Sequence, residues 1–227
     1  MSIIRKSVRN LNILPLLVAN KALFVLVLLI LFFVPLIPSS IHRPVYSILF
    51  TTIYLTATQL ISKHRKLILS FVLIAIAMTW LGFTMDLIKI IWISKVIDIV
   101  LFIYIVFDLV KQVSHSKTVS SKVILESING FMMIGLVFSF MIGFLMGINP
   151  GSFSFNNIGE HSIQTLALFE NYVYYAFITL TTVGYGDVLP LTPEARALSV
   201  MISLTGQFYI AVVIAFLVGK FIIHEAK

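Results

Sequence analysis

Cysteine is absent from this 227-residue chain, and charged residues are scarce, since Asp, Glu, Lys and Arg together make up 11% of it. The lack of cysteine excludes disulfides, thiolate nucleophiles and Cys-ligated metal sites. Soluble proteins have roughly 25% charged and 45–50% apolar residues, whereas this chain is 59% hydrophobic. That composition excludes a water-soluble core and requires that apolar surface faces lipid.

Six apolar stretches reach the length of a bilayer crossing, which takes about 20 residues. Basic residues precede the first stretch, as in a signal peptide, but its apolar run is too long and lacks a small-residue cleavage site. We therefore expect it to be retained as a membrane anchor. The approximate bounds of the six stretches are 22–38, 44–61, 67–84, 88–110, 128–148 and 196–219.

Basic residues cluster on one side of the predicted membrane. Twelve of the 16 Lys and Arg residues lie in segments that alternate spans place on the same face, namely 1–21, 62–66, 111–127 and 220–227. Because cytoplasmic loops are enriched in Lys and Arg, both termini are expected to be cytoplasmic, in a multi-pass protein of the plasma membrane. The net charge of +7 then predicts contact with anionic lipid head groups at the cytoplasmic face, not with nucleic acid.

The segments between the apolar stretches are short. The longest, 149–197, has 49 residues, and independent domains start near about 50 residues. We therefore expect no soluble ligand-binding domain in the chain.

Within 149–197, the run Asn171–Thr181 is too short to span a bilayer and fits a re-entrant half-helix. It leads into Thr181–Asp187, which reads TTVGYGD and resembles the selectivity-filter signature of the potassium-channel superfamily. The resemblance implies an all-α integral membrane protein with six transmembrane helices, a re-entrant pore helix and a filter loop. The chain has one such motif and four are needed around one pore, so a homotetramer is expected.

On this resemblance the chain divides into a four-helix part and a pore part. The pore part would contain an outer helix, the pore helix, the filter and an inner helix. The predicted segments are a cytoplasmic N-terminal tail 1–21, a voltage-sensor-like domain 22–110, a cytoplasmic linker 111–127, a pore domain 128–219 and a cytoplasmic tail 220–227.

The residues of the filter motif suit the binding of a K⁺ ion that has lost its water. Backbone carbonyls replace the hydration shell of the ion, and carbonyls that point one way require alternating backbone conformations. Glycine adopts these at positive φ without a Cβ penalty, and Gly184 and Gly186 meet that need. The predicted ion-binding residues are Thr182, Val183, Gly184, Tyr185 and Gly186, with K⁺ held at the first four.

Three neighbours, Thr181, Asp187 and Tyr174, are expected to support the filter. Related pore helices often have two tryptophans where this chain has Tyr174 and Tyr175, so the resemblance implies a hydrogen bond from Tyr174 to Asp187. Ile178 departs from the family pattern, in which some members have a carboxylate there. Inactivation linked to that acid is therefore not expected.

In the last span, Gln207, Ile210, Ile214 and Val218 recur at helical spacing. They predict a stripe that lines the pore and allows closure by dewetting, or alternatively a face that packs against the fifth span. Gly206 falls where the resemblance implies a hinge, and close helix packing is the alternative. These five residues are the predicted gating and pore-lining set.

The fifth span has a small residue at every fourth position. Such a face lets membrane helices approach closely, and we expect it to seat the sixth span. The residues are Gly135, Ser139, Gly143 and Gly147.

Six-span voltage-gated channels carry an arginine at every third position of the fourth span, whereas positions 89, 92, 95 and 98 read Lys, Trp, Lys and Asp here. Steep gating requires about three to four charges per subunit. Lys95 and Asp98 are expected to form a structural pair that moves together and nearly cancels. We predict weak or absent voltage dependence; a voltage-gated potassium channel is the alternative.

An enzyme is not expected, because the five histidines are dispersed and no paired carboxylates or metal-spaced motif accompanies them. No cofactor is expected, and K⁺ is the permeating ion. His161, beside Glu160, is either a pH-tuning group or a solvated loop residue. A non-conducting or modulatory channel subunit is a second alternative.

Overall fold

The computed structural model describes residues 16–61, 65–85, 88–116, 119–155 and 169–225, so Glu160 and His161 lie outside the described residues. Within these ranges the chain is helical, with one isolated β-bridge. This confirms the predicted all-helical architecture for the part of the chain that the structure describes. The main helices are α1 (Leu16–Leu36), α2 (His42–Leu60), α3 (Arg65–Met85), α4 (Ile88–His115), α5 (Ser121–Ile148), α6 (Phe169–Leu180) and α7 (Pro193–Glu225).

Among the described residues, three helical segments are long and apolar enough to cross a membrane: Leu16–Leu36, Ser121–Ile148 and Pro193–Lys220. They correspond to the first, fifth and last of the predicted apolar stretches. The structure therefore agrees with a membrane protein, and the count of six spans stays a prediction.

A proline and a hydroxyl cap determine where α7 begins. Pro193 is its first residue, where the missing N–H of proline is not needed. The Thr192 hydroxyl accepts a hydrogen bond from the Ala195 N–H at 3.3 Å, which satisfies one of the free donors of the first turn. The filter loop is thus joined to α7 by a defined helix start.

Several helices extend beyond the predicted apolar stretches. The first predicted span starts at 22, but α1 is already helical at Leu16. In the predicted linker 111–127, α4 continues to His115 and α5 begins at Ser121. Hydropathy finds the apolar middle of a helix, whereas the helix itself continues through polar residues because its backbone hydrogen bonds are internal.

An aromatic cluster packs α2 and α4 against α5 and α6. Phe140 of α5 lies with its ring centre 4.9 Å from that of Phe50, 5.2 Å from that of Phe102 and 5.1 Å from that of Phe169. These spacings lie in the range of favourable aromatic pairs. Because the four rings belong to α2, α4, α5 and α6, one apolar core connects α2 and α4 to the helix that precedes the Thr181–Asp187 motif.

The small-residue face of α5 seats α6, so the expectation that it seats the sixth span is wrong. A Cβ on Gly135 would lie 2.4 Å from the Phe177 ring, and one on Gly143 would lie 3.0 Å from the Tyr172 ring. Both rings belong to α6. A contact between α5 and α7 lies nearer the start of α5, where a Cβ on Gly130 would lie 2.6 Å from Tyr209 Oη.

Buried polar contacts also join the helices. The Asn20 amide of α1 donates to Glu126 Oε1 of α5 at 3.2 Å, and the Asn129 amide donates to the Asn20 carbonyl at 2.9 Å. Between α2 and α4, the Tyr54 hydroxyl donates to Asp98 Oδ1 at 2.6 Å. Asp98 therefore has a hydrogen-bond partner on another helix, which the interpretation of Lys95 and Asp98 as a pair did not include.

Candidate functional site

The filter motif follows directly from the end of α6. The Thr181 N–H donates to the Phe177 carbonyl at 2.9 Å, the Thr182 N–H to the Thr179 carbonyl at 3.0 Å and the Gly184 N–H to the Ile178 carbonyl at 3.1 Å. These bonds satisfy the carbonyls that the last turn of a helix leaves free. They also hold the start of the loop against the end of the helix.

Alternate residues of the loop have left-handed backbone conformations. The φ angles are 60° at Thr182, 53° at Gly184 and 79° at Gly186, and no other described residue has a positive φ. A Cβ on either glycine would meet none of the described residues within 4 Å in the isolated subunit. Glycine is therefore required at both positions because of the positive φ, which residues with an L side chain disfavour, and not because a side chain would lack space.

Thr182 adopts this conformation with a side chain, which is uncommon for a β-branched residue. Its hydroxyl accepts a hydrogen bond from Gln207 Nε2 of α7 at 3.1 Å. The side chains of Val183 and Tyr185 are 54% and 72% exposed in the isolated subunit. The structure thus joins the first filter residue to the predicted pore-lining stripe.

The Tyr174 hydroxyl donates to Asp187 Oδ2 at 2.6 Å, so the two residues that the resemblance paired lie in contact. This hydrogen bond raises the pKa of Tyr174 to about 12, because loss of the phenol proton would leave two negative groups facing each other. Asp187 Oδ1 also accepts from the Val188 N–H at 3.1 Å. The hydroxyl of Thr181 bonds back to the last turn of α6, at the Phe177 carbonyl, at 2.7 Å.

Gly206 lies where α7 crosses the end of α6. A Cβ at this position would stand 1.9 Å from the Leu180 carbonyl oxygen, and α7 is one helix through Gly206. Close packing is therefore what the structure records at this glycine, and a hinge there stays a prediction.

The rest of the predicted stripe on α7 is exposed in the isolated subunit. Ile210, Ile214 and Val218 have 38%, 54% and 51% of their surface accessible. α7 instead contacts α5 through Tyr209, whose hydroxyl donates to the Ser127 carbonyl at 2.6 Å. This arrangement leaves the stripe free to line a pore.

Sequence reasoning missed a support on the outer side of the loop. The Leu191 N–H donates to the Ser152 carbonyl at 2.8 Å, and the Leu189 N–H donates to the Ser154 hydroxyl at 2.9 Å. Phe153 and Pro190 form the isolated β-bridge between these segments. The alternation of serine and phenylalanine at 152–155, which is typical of an extended segment, was the available signal.

The segment that contains this site is similar to known channels. A protein-family model described as "Ion channel" matches residues 131–222. Over 88 residues the chain is 29% identical to "Two pore potassium channel c" of Oryza sativa subsp. japonica, a match that covers 36% of this chain and 18% of the rice protein. No solved structure matches the chain. These similarities support an ion channel.

Proposed function

We propose that this chain is the subunit of a K⁺-selective channel that conducts K⁺ passively across the plasma membrane. The observation that carries the proposal is the alternation of positive φ at Thr182, Gly184 and Gly186 within the Thr-Val-Gly-Tyr-Gly sequence. A backbone that alternates in this way turns successive carbonyls toward one side, as a cation that has lost its water requires.

In this proposal the carbonyls of Thr182, Val183, Gly184 and Tyr185 hold K⁺, and Gly186 completes the loop. The end of α6 at Leu180 directs the negative end of its helix dipole toward the cavity below the filter, where it favours a cation. One chain supplies one face of such a pore, so the channel is a homotetramer. K⁺ is the permeating ion, and no cofactor takes part.

The pore below the filter is lined by α7. Gln207 lies next to the filter through its bond to Thr182, and the exposed side chains of Ile210, Ile214 and Val218 continue the lining toward the cytoplasm. An apolar constriction built from such residues closes by dewetting. The remaining helices form a peripheral domain with little gating charge, and both termini lie in the cytoplasm next to anionic lipid head groups.

Flux of K⁺ from liposomes that contain only the purified chain tests the proposal. We expect flux that exceeds Na⁺ flux in the wild type and is lost or non-selective in Gly186→Ala, because alanine disfavours a φ of 79°. Gly219→Ala is the matched control, since a Cβ there meets nothing within 4 Å and the backbone is helical. A wild-type chain without flux would indicate a non-conducting subunit, and unchanged selectivity in Gly186→Ala would contradict the filter assignment.

A further inference from the structure

The first residue of α2 and the first turn of α6 meet at a polar site formed by His42, Tyr46 and Glu170, in which the Glu170 side chain is 30% exposed. His42 and Tyr46 are 3% and 1% exposed. His42 Nδ1 lies 3.8 Å from Glu170 Oε2, and the His42 and Tyr46 rings meet edge to face with centres 6.0 Å apart. Three atoms of this site are buried and have no hydrogen-bond partner among the described residues: His42 Nδ1, Tyr46 Oη and Glu170 Oε2.

The second ring nitrogen of His42 determines which tautomer is present. His42 Nε2 lies 2.9 Å from the Ile37 carbonyl oxygen, which can only accept a hydrogen bond, so Nε2 carries a proton. Neutral His42 then presents the lone pair of Nδ1 to a carboxylate oxygen. Two buried acceptors face each other without a donor, which is unfavourable, and a proton on Nδ1 removes the conflict.

We propose that His42 and Glu170 form a proton-binding site through which pH controls conduction; this inference rests on the proposed channel function. A proton on Nδ1 makes His42 an imidazolium that pairs with the Glu170 carboxylate. The pair ties the start of α2 to the first turn of α6, and α6 leads directly into the filter loop. When the proton leaves, the two acceptors repel each other and the tie is lost, so acidification favours conduction.

The groups around His42 indicate that the charge changes at His42 and Glu170. Among the described residues, the titratable groups that the structure records against His42 are Glu170 on α6 and Tyr46 on its own helix. The segment before α2 contributes the Ile37 carbonyl. His42 Nδ1 and Glu170 Oε2 face each other as buried atoms, so the proposed proton lies between them.

The test is K⁺ flux from liposomes with equal pH on both sides, measured from about pH 8 down to about pH 5.5. We expect wild-type K⁺ flux to rise at least about fivefold on acidification, which is the lower end of ordinary coupling between sites. His42→Gln should abolish the rise. Glu170→Gln should give the high flux at every pH, because its amide donates to Nδ1 without a proton.

His115→Gln is the matched control, since His115 is exposed at the end of α4 and its replacement should leave the pH response unchanged. A rise that persists in either His42→Gln or Glu170→Gln overturns the proposal, as does a conducting wild type with no pH response. Absence of flux at every pH would overturn the channel function instead. The site is then judged by thermal unfolding: a Tm that rises on acidification in the wild type but not in His42→Gln supports it, and equal shifts overturn it.

Discussion

The Leu180 carbonyl occupies the space that a side chain on Gly206 would need, since a Cβ there would lie 1.9 Å from the carbonyl oxygen. The last turn of α6 and the α7 helix are therefore in backbone contact. Any movement of α7 at this crossing would displace Leu180, the residue that precedes the Thr181–Asp187 motif.

We expect Gly206→Ala to destabilise the folded channel strongly. Insertion of one methyl group into a packed site costs about 1–3 kcal/mol, and here the opposing atom is backbone, which cannot rotate away. The measurement is the thermal unfolding midpoint in detergent together with K⁺ flux, and both should fall. Gly219→Ala, whose Cβ meets nothing within 4 Å, should leave both unchanged. Equal stability of the two variants would contradict the close contact.

Gly135→Ala should also destabilise the protein, by about 1–3 kcal/mol, because its Cβ would lie 2.4 Å from the Phe177 ring. The group that opposes the added Cβ is the Phe177 side chain, so a second substitution at Phe177 can relieve the clash. Combining Gly135→Ala with Phe177→Leu should restore part of the stability, and a double-mutant cycle on unfolding free energies measures this coupling. Strict additivity of the two changes would show that the face of α5 does not seat α6.

The glycines of this chain illustrate what the sequence can and cannot predict. The left-handed conformations of Gly184 and Gly186 are local, so a short motif was enough to anticipate them. The small face of α5 was also visible in the sequence. The prediction named the wrong partner helix, because the residues of a helix face do not identify the helix that packs against it. The 12-residue helix α6 lies where the last span was expected.

The same distinction applies to the polar residues. The contact between Tyr174 and Asp187 was anticipated from the family resemblance, and the two residues are only 13 positions apart. The contact between His42 and Glu170 joins residues from distant parts of the chain. No spacing rule relates such residues, so this site required the three-dimensional structure.

Tyr174→Phe should lower K⁺ over Na⁺ selectivity, because it removes the hydrogen bond that holds Asp187 behind the filter. Tyr104→Phe, in α4, is the control and should leave the selectivity unchanged. The ratio of K⁺ to Na⁺ permeability from reversal potentials is the measurement. A ratio equal to that of the wild type in Tyr174→Phe would rule out a supporting role for this contact.

The Tyr174 contact should not itself respond to pH near neutrality. The phenol donates only while protonated, and its pKa is raised to about 12, so the hydrogen bond persists below that pH and is lost only as the pH rises through it. Selectivity should therefore stay constant between about pH 6 and about pH 9. Reversal potentials across this range test the expectation, and a fall in selectivity well below pH 12 would assign a different protonation state to the contact.

Voltage dependence is expected to be weak. One charge that crosses 100 mV contributes about 2.3 kcal/mol. In α4 the half-buried Lys95 is accompanied by Asp98, whose carboxylate accepts a hydrogen bond from Tyr54 of α2. An outward shift of α4 would have to break that bond and would carry both charges, which oppose each other. Normalised conductance–voltage curves of the wild type and Lys95→Gln should both be shallow. A steep wild-type curve that Lys95→Gln flattens would instead make Lys95 a gating charge.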